Sequence, residues 1–233
     1  QMCIRDRKIR KTQPPANSNK GRQRSDSAES DSIVFPKNNI VKKWSRDAII
    51  FLKYDRKKEK ITMAIAIRAY QPEDVPALVE IWNEVVEQGI AFPQKAPLTN
   101  QIGAAFFAKQ SCTAAAYDTE TAEIVGMYIL HPNNVGRCGH ICNASYAVKT
   151  TYRGQKIGEQ LVRHCLHQAR QMGFRILQFN AVVKENYAAR KLYEKLGFVT
   201  IGTVAEGFQK KDGTYSDIVL YYFPLQNEPT AET

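Results

Sequence analysis

Residues 153–158 read Arg-Gly-Gln-Lys-Ile-Gly and lie between a strand-like run and a helix-like run. Glycine in a helix costs roughly 1 kcal/mol relative to alanine, so two of them at a helix entrance point to a need for bare backbone. The first N–H groups of a helix lack intrahelical partners, and the dipole adds partial positive charge there. Glycine lets an anion come close to the backbone, and Arg153 and Lys156 add cationic donors. Together these residues predict a phosphate or pyrophosphate site. On these residues alone, a glycine-bearing helix start without a ligand is the alternative. The dinucleotide pattern G-x-G-x-x-G and the ATP-type pattern G-x-x-x-x-G-K-[ST] are both missing, so neither nucleotide fold is expected.

Other residues invite chemistry. Asn143 and Asn180 are amides in runs otherwise fit for burial. Buried amides need partners, which a ligand or each other can supply. His140 precedes a strand-like run and is a candidate base, although a lone histidine is more often structural. Cys138, His140 and Cys142 suggest a metal at first sight, but a structural zinc site wants four ligands and no second pair appears. Alternate small residues on a strand are the better reading, and no metal is expected. The five cysteines form no framework and read as reduced thiols of a cytoplasmic protein.

The elements that position these residues are readable from Ile65 onward. "IAIRAY" is a strand, and "QPEDVPALVEIWNEVVEQG" is a helix with Leu78, Ile81, Trp82 and Val85 on one face. "AFPQKAPLT" is a loop and "NQIGAAFFAKQ" a short second helix. "CTAAAYD" and "EIVGMYILHP" form a hairpin, and "HICNASYAV" is a further strand. The helix after residue 156 keeps Ile157, Leu161, Cys165, Leu166, Ala169 and Met172 on one face. "FRILQFNAVV" is a strand. Asn186 caps a helix with the stripe Ala189, Leu192, Tyr193 and Leu196, and Gly197 ends it. Two strands around the Asp212-Gly213 turn close the chain. The order β-α-α-β-β-β-α-β-α-β-β predicts a mixed α/β fold.

Composition bounds the function classes. The net charge of +10 over 233 residues suggests a polyanionic partner until it is mapped. Residues 1–62 hold 17 Lys and Arg against 7 Asp and Glu, and residues 63–233 hold 16 against 16. The excess therefore sits in the leading segment, and the rest makes no case for nucleic acid. Residues 1–62 have a disorder composition, and the apolar patches Ile33–Phe35 and Ile49–Leu52 show no periodicity that supports a domain. The expected division is a basic extension over 1–62, upstream of a natural start or a functional tail, and a catalytic domain over 63–228. No run of 18 apolar residues predicts a membrane span.

"YAVKTTYRGQKIGEQLV" followed by "ILQFNAVVKENYAARKLYEKLGF" resembles the GNAT superfamily of acyl-CoA-dependent N-acetyltransferases. The fingerprint R/Q-x-x-G-x-G/A falls on Arg153, Lys156 and Gly158, with lysine at the middle glycine. The downstream pattern N-x-x-A-x-x-L-Y-x-x-x-G-F falls on Asn186, Ala189, Leu192, Tyr193, Gly197 and Phe198 without a gap. The resemblance covers about residues 65–225. It implies a central twisted sheet with two splayed parallel strands and flanking helices. It also implies acetyl-CoA as co-substrate, with its pyrophosphate on the amides of Arg153, Gly154, Gln155, Lys156, Ile157 and Gly158. The pantetheine arm would run along Tyr146, Ala147 and Val148 like an added strand, with Asn186 as a second anchor.

The same resemblance gives Tyr193 a role. Amine attack on a thioester expels a thiolate, and a phenol in reach can protonate it; a core position on the helix stripe is compatible with that role. "HPNNVGRCGHICNASYAV" with "FNAVVKEN" is also similar to fungal N-acetyltransferases that detoxify a proline analogue. That similarity places the acceptor near Asn143 and Asn180, with Phe92 as a wall. The implied function is direct acetyl transfer to the amine of a small or amino-acid-like molecule, with the base unassigned. A protein or peptide acceptor is an alternative. So is a non-catalytic acyl-CoA sensor tethered by its basic tail, for which salt-dependent binding without thiol release is the mark. Members of the family often dimerise through late strands, so a homodimer is an implied partner.

Overall fold

The structure, a computed structural model, describes residues 40–44, 49–55 and 60–226, with side chains from Ile65 to Gln226. Nine strands form one sheet in the order β1-β2-β3-β4-β5-β6-β7-β9-β8. They are β1 Ile40–Trp44, β2 Ile49–Asp55, β3 Lys60–Ala69, β4 Cys112–Asp118, β5 Ile124–Pro132, β6 Ile141–Val148, β7 Ile176–Val183, β8 Val199–Gln209 and β9 Tyr215–Pro224. The helices are α1 Val75–Gln88, α2 Asn100–Ala108, α3 Ile157–Gln171 and α4 Tyr187–Leu196. From β3 onward the element order is the expected one, a mixed α/β sheet with flanking helices.

The upstream boundary differs from the sequence expectation. Strand β2 lies on one of the unpatterned apolar patches, β1 lies where no element was expected, and β3 starts three residues ahead of Met63. Ile49–Leu52 falls on β2, which pairs with β3 from Ile49↔Ile67 to Asp55↔Lys60. Strand pairing joins residues distant in sequence, and short strands flanked by charge carry little periodicity of their own. The stretch 1–39, including Ile33–Phe35, lies outside the described residues.

Alternation along the strands sorts side chains onto two faces. Ala114, Ala116, Tyr128, Leu130, Cys142 and Ala144 pack with Leu161, Cys165 and Ala169 of α3. Ala115, Met127, Ile129 and Ala147 pack with Leu78, Trp82 and Val85 of α1 and Phe107 of α2. Fully buried alanines at 114–116 keep β4 flat on both faces, so a helix layer sits against each. The stripe of α4, Leu192, Tyr193 and Leu196, lies on the α3 face. Met172 departs from the expected stripe and is exposed, because α3 ends at Gln171 and the chain turns at Gly173. Only Cys142 of the cysteine-histidine trio lies on a strand; Cys138 closes a 3-10 turn and His140 precedes β6.

The feature that positions the site is a failure of pairing. Strands β6 and β7 are parallel neighbours only at Ile141↔Ile176 and Cys142↔Leu177. Beyond that point β6 stays with β5 through Val148, while β7 follows β9 with an irregularity between Phe179 and Val182. The edge of β6 from Asn143 to Val148 therefore has no strand beside it, which leaves backbone groups open to a partner.

Candidate active site

A cavity of about 690 Å³ opens in that gap. Its walls come from both faces of the sheet. Tyr146, Gly158, Asn186, Leu192 and Tyr193 line it from the α3–α4 side, and Phe92, His131, Asn143 and Asn180 from the α1–α2 side. Strand parity explains the split: Asn143 and His131 alternate with Ala144 and Leu130 and so face the way of Ile129 and Ala147.

The entrance to α3 is built for an open helix end. Gly154 has φ +81° and Lys156 φ +64°, and no side chain caps the helix. The first helical bond is donated by Gln160 N–H to the Lys156 carbonyl at 3.2 Å. The N–H groups of Ile157, Gly158 and Glu159 have no partner among the described residues. Lys156 takes the left-handed conformation that the family's middle glycine would accept without strain, a conformation costing an L-residue roughly 1–2 kcal/mol. A Cβ on Gly158 would sit 3.8 Å from Leu192 Cδ2 and 4.0 Å from Val148 Cγ2, inside the cavity wall.

Not every expected cofactor residue turns its side chain to the cavity. Arg153 Nη2 donates to Gln88 Oε1 at 3.0 Å and its Nε to the Val148 carbonyl at 3.5 Å, which ties the loop to α1. Thr150 reinforces this, donating N–H and Oγ1–H to Glu84 at 2.9 and 2.8 Å. Gly154, Gln155 and Lys156 are exposed at the loop surface. Ile157 and Ala147 are buried at 1% and 3% and have only backbone to offer a ligand. Asn186 Oδ1 accepts from Ala189 N–H at 3.3 Å, so this residue caps α4 and lines the cavity at once.

Tyr193 sits in an aromatic nest, with ring centroids 4.4 Å from Phe179, 5.3 Å from Phe198 and 6.0 Å from Tyr221. Burial pushes its phenol well above the ordinary value, so the hydroxyl keeps its proton. That hydroxyl has no hydrogen-bond partner among the described residues. Tyr146 lines the same wall, and its buried hydroxyl is also unpartnered; burial drives it strongly upward too, with Cys165 as its neighbour. Burial raises the Cys142 thiol to about 12 and the Cys165 thiol well above its usual range. Neither thiol is a thiolate at neutral pH, which removes both as acyl-accepting nucleophiles.

On the α1–α2 side, Phe92 packs on Trp82 at 4.3 Å, and Phe106 meets Trp82 edge-on at 5.1 Å. The Asn143 amide has no hydrogen-bond partner among the described residues. Asn180 is exposed, contrary to the expectation of burial. It pairs with Asn133 rather than Asn143, donating to Asn133 Oδ1 at 2.5 Å and accepting from Asn133 Nδ2 at 3.2 Å and Gln178 Nε2 at 3.0 Å. His140 is exposed and outside the cavity wall; only its carbonyl is engaged, by Arg175 N–H. The histidine that does line the cavity is His131, which no local sequence pattern marks. Placing it needs the β5–β6 register, which sets His131 opposite Asn143. Among the described residues no group of three or more His, Cys, Asp or Glu is placed to hold a metal. No helix among them is long and apolar enough to cross a membrane.

Comparison with known proteins agrees with this geometry. The profile of the acetyltransferase (GNAT) family matches residues 76–198. The chain is 32% identical over 160 residues to the N-acetyltransferase aca1 of Schizosaccharomyces pombe, which covers 61% of this chain and 77% of that protein. Among solved structures it is similar to a GCN5-related N-acetyltransferase from Kribbella flavida, at 30% identity and a TM-score of 0.64 over 69% of this chain and 97% of that one. The fold is also that of a phosphinothricin acetyltransferase from Sinorhizobium meliloti in complex with acetyl-CoA, at 19% identity and a TM-score of 0.65 over 72% and 92% of the two chains.

Proposed function

The chain belongs to the acetyltransferase (GNAT) family and is an acyltransferase, and we propose that it moves the acetyl group of acetyl-CoA directly onto the amine of a small, amino-acid-like molecule. The observation that carries this reading is one cavity that reaches both faces of the sheet at the β6–β7 gap. Acetyl-CoA supplies a thioester, an acyl group already activated toward amines. The residues on the α3–α4 face fit it. Open N–H groups at Ile157–Glu159 suit a pyrophosphate, and the free β6 edge from Asn143 to Val148 suits an amide-bearing arm.

Each residue's part follows from its place. The helix start binds phosphate. The β6 edge orients the arm and offers a donor to the thioester carbonyl. Tyr193 holds a proton on a buried phenol oxygen and gives it to the departing sulfur, whose negative charge the same burial makes costly. Asn143 and Asn180 bind the acceptor, and Phe92 with Trp82 closes the wall against water. In the transfer the amine nitrogen bonds to the carbonyl carbon, the C–S bond breaks, and one proton leaves the nitrogen as another reaches the sulfur.

The acceptor side favours a small molecule. Its aromatic wall is closed by Trp82, Phe92 and Phe106, and amide groups stand at the far edge. Amide side chains suit the carboxylate or carbonyl of an amino-acid-like compound, in keeping with the resemblance to proline-analogue N-acetyltransferases. Four free thiols among the described residues suit a reducing, cytoplasmic setting. A homodimer would form at β8, the outer strand of the sheet, which exposes Val199, Ile201 and Val204. The test of the acceptor class is thiol release from acetyl-CoA with azetidine-2-carboxylic acid, benzylamine and a lysine peptide. Turnover with the small amines and little with the peptide is expected; preference for the peptide contradicts the reading.

A further inference from the structure

We propose that His131 is the catalytic base that takes the proton of the acceptor amine, an assignment that rests on the acetyl-transfer reading above. The cavity wall contains three titratable side chains, His131 of β5, Tyr146 of β6 and Tyr193 of α4. Both phenols are buried and hold their protons firmly. No Asp, Glu, Lys or Arg lines the cavity from β5, β6, β7, α1, α2, α4 or the 91–94 loop. An ammonium entering it meets no counter-charge, so binding favours the neutral amine and its proton must go elsewhere. Imidazole is the side chain suited to exchanging a proton near neutral pH.

The geometry fixes which nitrogen acts. His131 Nδ1 lies 3.0 Å from the Pro132 carbonyl oxygen. A carbonyl oxygen only accepts, so Nδ1 carries the hydrogen and Nε2 keeps its lone pair. His131 stands opposite Asn143 in the β5–β6 ladder, and cross-strand partners share a face. It is half-buried, and its ring bonds to no other element among the described residues, so a structural clamp does not explain it. In the step assigned here, Nε2 takes one proton from the amine nitrogen as that nitrogen bonds to the acyl carbon. Tyr193 supplies the separate proton that ends on sulfur; the imidazolium then releases its proton to water and the Tyr193 phenolate takes one back from water, which restores both side chains.

The test compares His131→Gln with the unaltered chain. Thiol release is followed across pH 5.5–9.5 with azetidine-2-carboxylic acid and benzylamine, and acetyl-CoA binding is measured by calorimetry. At pH 7 the variant should lose on the order of 100-fold or more in kcat/KM and lose the acid limb of the profile. Its acetyl-CoA affinity should be unchanged, and imidazole added to His131→Ala should restore part of the rate. A full-rate variant, or a slowed one that keeps the wild-type acid limb, overturns the assignment. Independently of turnover, the ¹⁵N imidazole spectrum of the unaltered chain should show His131 as the Nδ1–H tautomer; an Nε2–H tautomer also overturns it. An unaltered chain that neither binds acetyl-CoA nor releases thiol defeats the transfer reading itself, and the base with it.

Discussion

At the residue scale, the cavity wall combines phenols whose protons burial locks in place with one imidazole, that of His131. Tyr193 belongs to the first kind, a phenol kept neutral by its nest of Phe179, Phe198 and Tyr221. Tyr193→Phe keeps those ring contacts and removes only the donor. It should fold normally and bind acetyl-CoA as before, with kcat lowered on the order of 100-fold in steady-state thiol release; an unchanged kcat removes Tyr193 from the chemistry. That Tyr193, Asn186 and Gly158 share a cavity wall was legible because two short patterns fix their places along the chain. Asn143 was legible as a polar residue amid apolar neighbours. His131 was not, since a histidine near a strand end acquires meaning only from what the hairpin register sets across from it. Asn180 lines the cavity, but it is exposed rather than buried, and its partner is Asn133, from a loop no local pattern places.

At the scale of elements, function comes from where pairing stops. β6 and β7 share two register positions and then part, and in the proposed pose the cost of unpaired backbone is met by a ligand in the missing strand's place. The helix start beside the gap must stay uncapped and must not fill the opening. Gly158 is the position where both demands meet, because its missing side chain faces Leu192 and Val148. Alanine there would make ordinary contacts, whereas Gly158→Leu would fill the passage. The expected result for the leucine variant is a thermal midpoint within a few degrees of wild type and acetyl-CoA affinity reduced at least 10-fold; undiminished affinity would place the ligand elsewhere. The order of elements from β3 to β9 was legible because helix stripes and strand alternation are local signals. β1 and β2 were not, since neither IVKKW nor IIFLKYD alternates apolar with polar residues.

For the molecule as a whole, one sheet lies between two helix layers, with a packed core on each face. Its α3 face contains a buried polar thread, with Tyr128 Oη 2.9 Å from His164 Nδ1 and 3.6 Å from Cys112 Sγ. Burial, with a smaller contribution from His167, lowers His164 from its ordinary 6.5 to about 4. The folded value lies below the unfolded one, so the neutral ring's contribution is complete above pH 6.5 and is lost as pH falls toward 4. Urea unfolding at pH 7.5 and 4.5 should show about 2–3 kcal/mol of this loss, and His164→Gln should show a correspondingly smaller drop. Equal losses in both chains would assign the acid sensitivity to other groups.

The proposed pose sets acetyl-CoA along the open edge of β6 with its phosphates at the start of α3. Its most direct test is a ¹⁵N amide spectrum of the full chain titrated with acetyl-CoA. The largest shifts are predicted at Ile157, Gly158 and Glu159 and along Ala144–Val148, saturating together at one equivalent. Saturable shifts that leave both groups of amides untouched would contradict it.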